Sequence, residues 1–115
     1  MTIQERAVGS VVVLDMSGRL VLGDVDGALK ERVNTLLQQG SRQVVLNVGD
    51  VSYVDSAGLG VIVSASLAAR KAGGVVRLLN PSTRLRQLLE MAKLFTILDV
   101  CQSEAQAFGG AASES

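Results

Sequence analysis

The sequence predicts an α/β fold built on a parallel sheet, and two observations lead to this prediction. Short apolar runs of strand length alternate along the chain with longer segments whose apolar residues recur at helical spacing. Strand, helix and strand in repeated order are typical of a parallel sheet with right-handed crossovers. Neither an internal repeat nor a linker composition interrupts the 115 residues, so a single domain is expected.

The first elements follow from apolar spacing and from the glycines that interrupt it. The apolar run Val11 to Leu14 is typical of a central strand. From Asp24 to Gln39 the apolar residues recur at helical spacing, and Gly40 ends the helix. A loop through Gly49 and Asp50 is expected after the next strand.

In chain order we predict an edge strand near Ile3 to Val8, a strand over Ser10 to Met16, a helix over Asp24 to Gln39, a strand over Val44 to Val48, a helix over Ser56 to about Ala72, a strand over Val75 to Leu79, a helix opened by Asn80 and Pro81, and a strand over Ile97 to Cys101.

The helix that begins at Ser56 is apolar almost all round, so we expect it to be the central packed helix. Arg70 and Lys71 favour its C-terminal end, and Gly73 with Gly74 stops it. Its main apolar face is expected to contain Leu59, Ile62, Val63 and Leu67. The face of the next helix is expected to contain Leu85, Leu88, Leu89 and Ala92.

Composition excludes several classes of function. Eleven basic and eleven acidic residues balance, whereas a nucleic-acid-binding domain normally has a basic excess. The chain contains no histidine and no paired cysteines, so the commonest general base and the usual metal ligands are missing. We therefore expect a protein that is not an enzyme and that uses neither a cofactor nor a metal.

The ends and the single cysteine indicate a compartment. Cys101 cannot form an internal disulfide, and it is expected to be a small buried residue of the core. The start of the chain lacks the pattern of a signal peptide, and no apolar stretch is long enough to span a membrane. A cytoplasmic protein is the simplest interpretation. The small polar residues 109–115 are expected to be disordered.

The turn at Ser56 is the strongest candidate for a functional site. Loops that follow the carboxyl ends of parallel strands are where ligands and partners bind in open α/β sheets. The Ser56 hydroxyl either caps the helix or stands free at the tip, and Asp50 and Asp55 are expected to add negative charge beside it. Gly58 and Gly60 suggest that something approaches this backbone closely.

Three other interpretations of the same residues are open. Asp55 or Ser56 can be an ordinary helix cap, with the glycines serving tight packing. A phosphate-binding loop fits less well, because the third glycine of that motif is missing and Asp55 would repel phosphate. A nucleophilic serine also fits poorly, since the chain has no histidine to act as its base. Arg84 and Arg86 on the third helix are read as part of a solvated face.

One segment resembles the signature of STAS domains, and specifically of bacterial anti-sigma factor antagonists. It is Val51-Ser52-Tyr53-Val54-Asp55-Ser56-Ala57-Gly58-Leu59-Gly60-Val61-Ile62. The likeness extends from Val11 to Leu98 and covers most of the chain. It implies a single STAS-type domain over residues 1–108, with a four- to five-stranded mixed sheet, βα connections and helices packed on the sheet.

The resemblance also implies a function, which is a phosphorylation-controlled partner switch. A serine at the position of Ser56 is phosphorylated by an anti-sigma factor that is itself a serine kinase, and a serine phosphatase resets the cycle. The unphosphorylated form binds the kinase and thereby frees a sigma factor. The residues expected to contact the partner are Asp24, Tyr53, Asp55, Ser56, Ala57, Gly58 and Leu59. Because Ala57 replaces the second hydroxyl of some relatives, Ser56 is the single acceptor expected in the motif.

Two alternative functions remain compatible with the same fold. One is a STAS subunit of a transport or scaffold assembly, and the other is a module that senses a small molecule or a nucleotide. The presence of a serine at the acceptor position, with no transporter or sensor domain in the sequence, favours the switch. A monomer or a weak dimer is expected, with no direct contact to nucleic acid or membrane.

Overall fold

The computed structural model describes residues 2–21, 28–105 and 107. It contains the strands β1 (Thr2–Val8), β2 (Val11–Leu20), β3 (Gln43–Val54), β4 (Val75–Leu79) and β5 (Asp99–Cys101), the helices α1 (Ala28–Gln38), α2 (Ser56–Lys71) and α3 (Thr83–Met91), and a 3-10 helix at Leu94–Thr96. The strands form one sheet in the order β1-β2-β3-β4-β5. Only the β1–β2 pair is antiparallel, so the prediction of a mixed α/β sheet with four to five strands is confirmed, with five strands.

The sheet is covered on both faces, but unequally. Leu14 and Met16 of β2 belong to the larger core, which includes buried apolar side chains from all three helices. Val11 and Val13 point the other way, into a smaller cluster that Ala107 joins. Burial on both faces explains why β2 begins with the apolar run Val11 to Leu14 and confirms it as a central strand.

The predicted loop through Gly49 and Asp50 is wrong, because β3 continues through both residues to Val54. The neighbouring β2 is also longer than predicted and pairs with β3 up to Leu20 opposite Val54. The ladder to β2 outweighs the turn preference of a Gly-Asp pair. The last strand is shorter than predicted, since Ile97 ends the 3-10 helix and β5 begins at Asp99.

The predicted face of α2 is only partly correct. Ile62 is fully buried, Leu59 and Val63 are half-buried, and Leu67 is 49% exposed, so its assignment to the core face is wrong. Small residues occupy the buried side instead, because α2 packs closely against both α1 and β4. They are Gly58, Ala65, Ser66 and Ala69. On α3 the prediction for Ala92 is also wrong, since this residue follows the helix and is exposed.

A network of polar side chains lies on the sheet face that carries the smaller core. The Arg6 guanidinium binds the Asp15 carboxylate at 2.7 Å and the Glu104 carboxylate at 2.8 Å, and Asn47 also donates to Asp15. The hydrogen bond from Arg6 holds the pKa of Asp15 below its usual value. Cys101 lies in the smaller core as expected, and burial raises the pKa of its thiol.

Some predictions fall outside the described residues, namely the helix start at Asp24 and the tail over residues 109–115. Within the described ranges no helix has the length and apolarity that crossing a membrane requires.

Candidate functional site

The end of β2 positions the start of α2. The backbone N–H of Asp55 donates to the Leu20 carbonyl oxygen at 3.2 Å, which joins the turn to the neighbouring strand. Gly58 packs against the same peptide unit: an added Cβ would overlap the Leu20 carbonyl oxygen and lie 2.8 Å from its carbon. Only a glycine fits at this position. The sequence indicated that something approaches the backbone here closely, and at Gly58 it is strand β2 of the same chain.

Asp55 caps α2. Its backbone is extended, and its carboxylate oxygen Oδ1 accepts a hydrogen bond from the Gly58 N–H at 2.8 Å. The Asp55 carbonyl accepts from the Leu59 N–H at 2.9 Å and so begins the helical ladder. A carboxylate here also complements the positive end of the helix dipole. Of the two capping candidates in the sequence, the structure therefore selects Asp55.

Ser56 is the first residue of α2 and its side chain is exposed. Because Asp55 supplies the cap, the Ser56 hydroxyl is not needed for it. Within the described part of the chain, this hydroxyl makes no hydrogen bond. The unused N–H groups of a first helical turn lie beside it and favour an anion. The result is a free hydroxyl in a fixed position at the carboxyl-end edge of the sheet.

The outward side of the same helix start is open. Gly60 is exposed, and an added Cβ would meet nothing within 4 Å among the described residues. Ala57 and Leu59 are half-buried beside it. The two glycines therefore have different surroundings, since Gly58 is packed against β2 and Gly60 faces solvent.

Tyr53 stands on the rim of the site. It is 41% exposed, and the Arg84 guanidinium of α3 lies 5.4 Å from the centre of its ring. This distance is typical of a cation–π contact. Six of the seven residues expected to contact a partner follow one another at the junction of β3 and α2, namely Tyr53, Asp55, Ser56, Ala57, Gly58 and Leu59.

Of the other acidic residues singled out in the sequence, Asp50 lies away from Ser56 and Asp24 is outside the described residues. Asp50 lies within β3, opposite Ser17 of β2. Val54 is four residue steps farther along the strand, a distance of about 13 Å. The prediction that Asp50 adds its charge beside the Ser56 hydroxyl is therefore wrong. Asp24, the seventh residue expected to contact the partner, lies outside the described residues.

Two residues that contribute to the site, Leu20 and Arg84, were not predicted from the sequence. Leu20 positions the turn, but its contact with Asp55 and Gly58 depends on a parallel pairing that leaves no local signal. Arg84 was assigned to a solvated face, and only the packing of α3 beside β3 reveals its contact with Tyr53. A metal centre has no support in the described ranges, where no three residues of the types His, Cys, Asp and Glu are grouped to hold an ion.

Comparison with known proteins agrees with this geometry. The family model of the STAS domain matches residues 2–107. The anti-sigma-B factor antagonist of Bacillus subtilis is 36% identical over 84 residues, which is 70% of this chain and 76% of the relative.

Two solved structures share the fold. A Thermotoga maritima protein described as a candidate anti-sigma factor antagonist superposes with a TM-score of 0.86 at 24% identity, covering 94% of this chain and 92% of that chain. The phosphorylated form of the Bacillus cell fate determinant SpoIIAA superposes with a TM-score of 0.75 at 23% identity, covering 96% of this chain and 99% of that chain. The chain belongs to the STAS domain family, among its anti-sigma factor antagonists.

Proposed function

We propose that this protein is the phosphorylation-controlled element of a partner switch. In its unphosphorylated form it binds an anti-sigma factor that is also a serine kinase, and this binding frees a sigma factor. The kinase then phosphorylates Ser56, the complex dissociates, and a serine phosphatase restores the first state. The 36% identity to an anti-sigma-B factor antagonist supports an anti-sigma factor as the partner.

The observation that carries the proposal is that Asp55, and not Ser56, caps the helix. In many helices a serine at this point would itself cap the helix, and its hydroxyl would be occupied. Here the Asp55 carboxylate binds the Gly58 N–H and leaves the exposed Ser56 hydroxyl available. A kinase can reach this oxygen without unfolding the helix start.

The remaining residues expected to contact the partner have separate roles. Tyr53 and Ser56 are exposed and form direct contacts, with half-buried Ala57 and Leu59 at their edge. Gly58 is buried against Leu20, so it acts by letting α2 start close to β2. Asp24 is proposed as a contact from the resemblance alone.

The release mechanism follows from electrostatic magnitudes. Phosphorylation adds nearly two negative charges, and against one partner carboxylate at about 6 Å these cost roughly 1 to 5 kcal/mol. The positive end of the helix dipole stabilises the phosphate by only about 0.3 to 1 kcal/mol. This stabilisation is present in the free protein as well, so it does not favour the complex. Charge repulsion and the steric bulk of the phosphate at the interface therefore outweigh the helix-dipole stabilisation. The affinity for the partner should fall by roughly tenfold to several thousandfold.

The protein itself is proposed to have no catalytic activity and to act in the cytoplasm, without contact to nucleic acid or membrane. The absence of histidine, the commonest general base, supports the lack of catalytic activity. ATPase and phosphatase assays on the purified protein should give no turnover above the buffer. Sustained turnover that Ser56→Ala abolishes would contradict it.

Identification of the phosphorylated residue tests the proposal. The protein is incubated with its cognate anti-sigma factor and Mg-ATP, and the phosphate is located by mass spectrometry. We expect one phosphate on Ser56 and none on Ser56→Ala. Ser64→Ala is the matched control, because Ser64 is an exposed serine of the same helix and its loss should change nothing. Phosphate on another residue, with Ser56 unmodified, would refute the proposal.

A further inference from the structure

A groove of about 170 Å³ lies between the end of β3 and the start of α3. Its apolar walls are formed by Val51, Val54, Leu85 and Leu88, and Tyr53 lies on the rim. A cavity of about 150 Å³ holds a benzene ring, so this groove has room for one large side chain.

One wall of the groove is the free edge of a strand. β4 pairs with β3 only as far as Asn47, whereas β2 accompanies β3 to Val54. Beyond Asn47, no strand in the described ranges pairs with this edge, and Asn80 packs against it at Gly49. An unpaired strand edge offers backbone donors and acceptors, and an edge with a helix beside it is where extended segments bind as an added strand.

The groove has one charged lining residue, Arg84. Its guanidinium lies over the Tyr53 ring, and no carboxylate of the described residues lies within ion-pairing distance of it. A guanidinium stacked on an aromatic ring can still donate hydrogen bonds from the N–H groups in its own plane. These N–H groups match the two oxygens of a carboxylate. The groove therefore complements a segment that carries both an apolar side chain and an acidic one.

We propose that an extended segment of the anti-sigma factor binds in this groove as a strand added to β3, with an aliphatic side chain in the groove and a carboxylate on Arg84. The inference rests on the proposed function and specifies where the partner docks. Val54 is two residues from Ser56, so the docked segment ends within roughly 7 Å of the phosphoacceptor. Docking raises the affinity of the kinase for its substrate and leaves the chemical step unchanged.

Charge reversal in the groove tests the inference on the intact protein. Arg84→Glu should raise the KM of the kinase for this protein about tenfold with an unchanged kcat, because one ion pair becomes a repulsion. Arg86→Glu is the matched control, since it places the same charge change two residues along α3, outside the groove lining. The control should leave KM within about twofold. Equal effects of the two substitutions would overturn the inference, and thermal melts confirm that both variants fold.

A second measurement does not depend on the kinase. The labelled protein is titrated at millimolar concentration with the peptide acetyl-Val-Glu-Val-Asp-Val-amide, and its backbone amide signals are followed by NMR. We expect shifts confined to Val51–Val54 and Ser82–Leu88, which weaken in Arg84→Glu and with the Gln and Asn version of the peptide. No shift, or shifts elsewhere, would contradict the groove.

The two measurements separate the possible failures. Phosphorylation of wild-type Ser56 without an Arg84 effect and without peptide shifts would refute the inference alone. Peptide binding in the groove, with binding of the anti-sigma factor weakened in Arg84→Glu but Ser56 left unphosphorylated, would refute the proposed phosphorylation and leave the docking site. A dimer that depends on concentration and is lost in Arg84→Glu would assign the groove to a second copy of this chain and overturn the inference.

Discussion

The inward and outward sides of the start of α2 contain the same kind of residue in opposite surroundings. On the inward side, Gly58 is pressed against the Leu20 carbonyl and donates its N–H to Asp55. On the outward side, a Cβ added at Gly60 would meet nothing within 4 Å, and the exposed Ser56 hydroxyl makes no hydrogen bond, both among the described residues. The packing against β2 explains why residue 58 is a glycine. No contact among the described residues explains Gly60 or the exposed Ser56 hydroxyl in the same way, and the proposed function assigns this side to the partner.

The largest effect is expected at Gly58. A methyl group in Gly58→Ala must displace the Leu20 backbone, so the free energy of unfolding should fall by at least about 2 kcal/mol. Denaturation in urea measures this directly. A loss below about 0.5 kcal/mol would mean that the contact between α2 and β2 is looser than described.

A smaller effect is expected from the cap. Asp55→Ala removes the acceptor of the Gly58 N–H, and a lost N-cap costs about 1 kcal/mol of stability. Asp55→Asn is the matched control, because asparagine caps helices nearly as well, so its stability should stay close to that of the wild type. If both variants lost the same stability, the charge of Asp55 would matter more than its hydrogen bond.

The smallest effect, with the opposite sign, is expected at Gly60. Gly60→Ala should raise the free energy of unfolding by about 0.5 to 1 kcal/mol, because alanine stabilises a helix and the added methyl has free space. The same variant should bind the anti-sigma factor more weakly if the partner packs on the outward side. Calorimetry of binding beside urea denaturation separates the two effects. A stability loss at Gly60 would remove the contrast with Gly58.

The sequence predicted most of the elements but not the contacts between distant segments. The start of α2 at Ser56 and its stop before Gly73 followed from apolar spacing and glycines. The continuation of β3 through Gly49 and Asp50 did not, because it depends on pairing with β2. Local residue preferences contain no information on such pairing.

Side-chain burial was predicted less well than element positions. Leu67 was expected in the core but lies outside, and the buried hydroxyl of Ser66 is satisfied by the Ile97 carbonyl at 3.2 Å. Helical spacing defines a stripe of residues, but neighbouring helices and strands decide which edge of the stripe is covered. The Ser56 turn was recognisable from its motif, whereas its positioning by Leu20 required the structure.

The central claim is that the outward hydroxyl of Ser56 controls partner binding. The most direct test is a calorimetric titration of the cognate anti-sigma factor, with a nonhydrolysable ATP analogue present, against wild type, Ser56→Ala and Ser56→Asp. We expect Ser56→Ala to bind as tightly as the unphosphorylated wild type, and Ser56→Asp to bind at least about tenfold more weakly, since a carboxylate reproduces part of the phosphate repulsion. Equal affinities for wild type and Ser56→Asp would contradict the account.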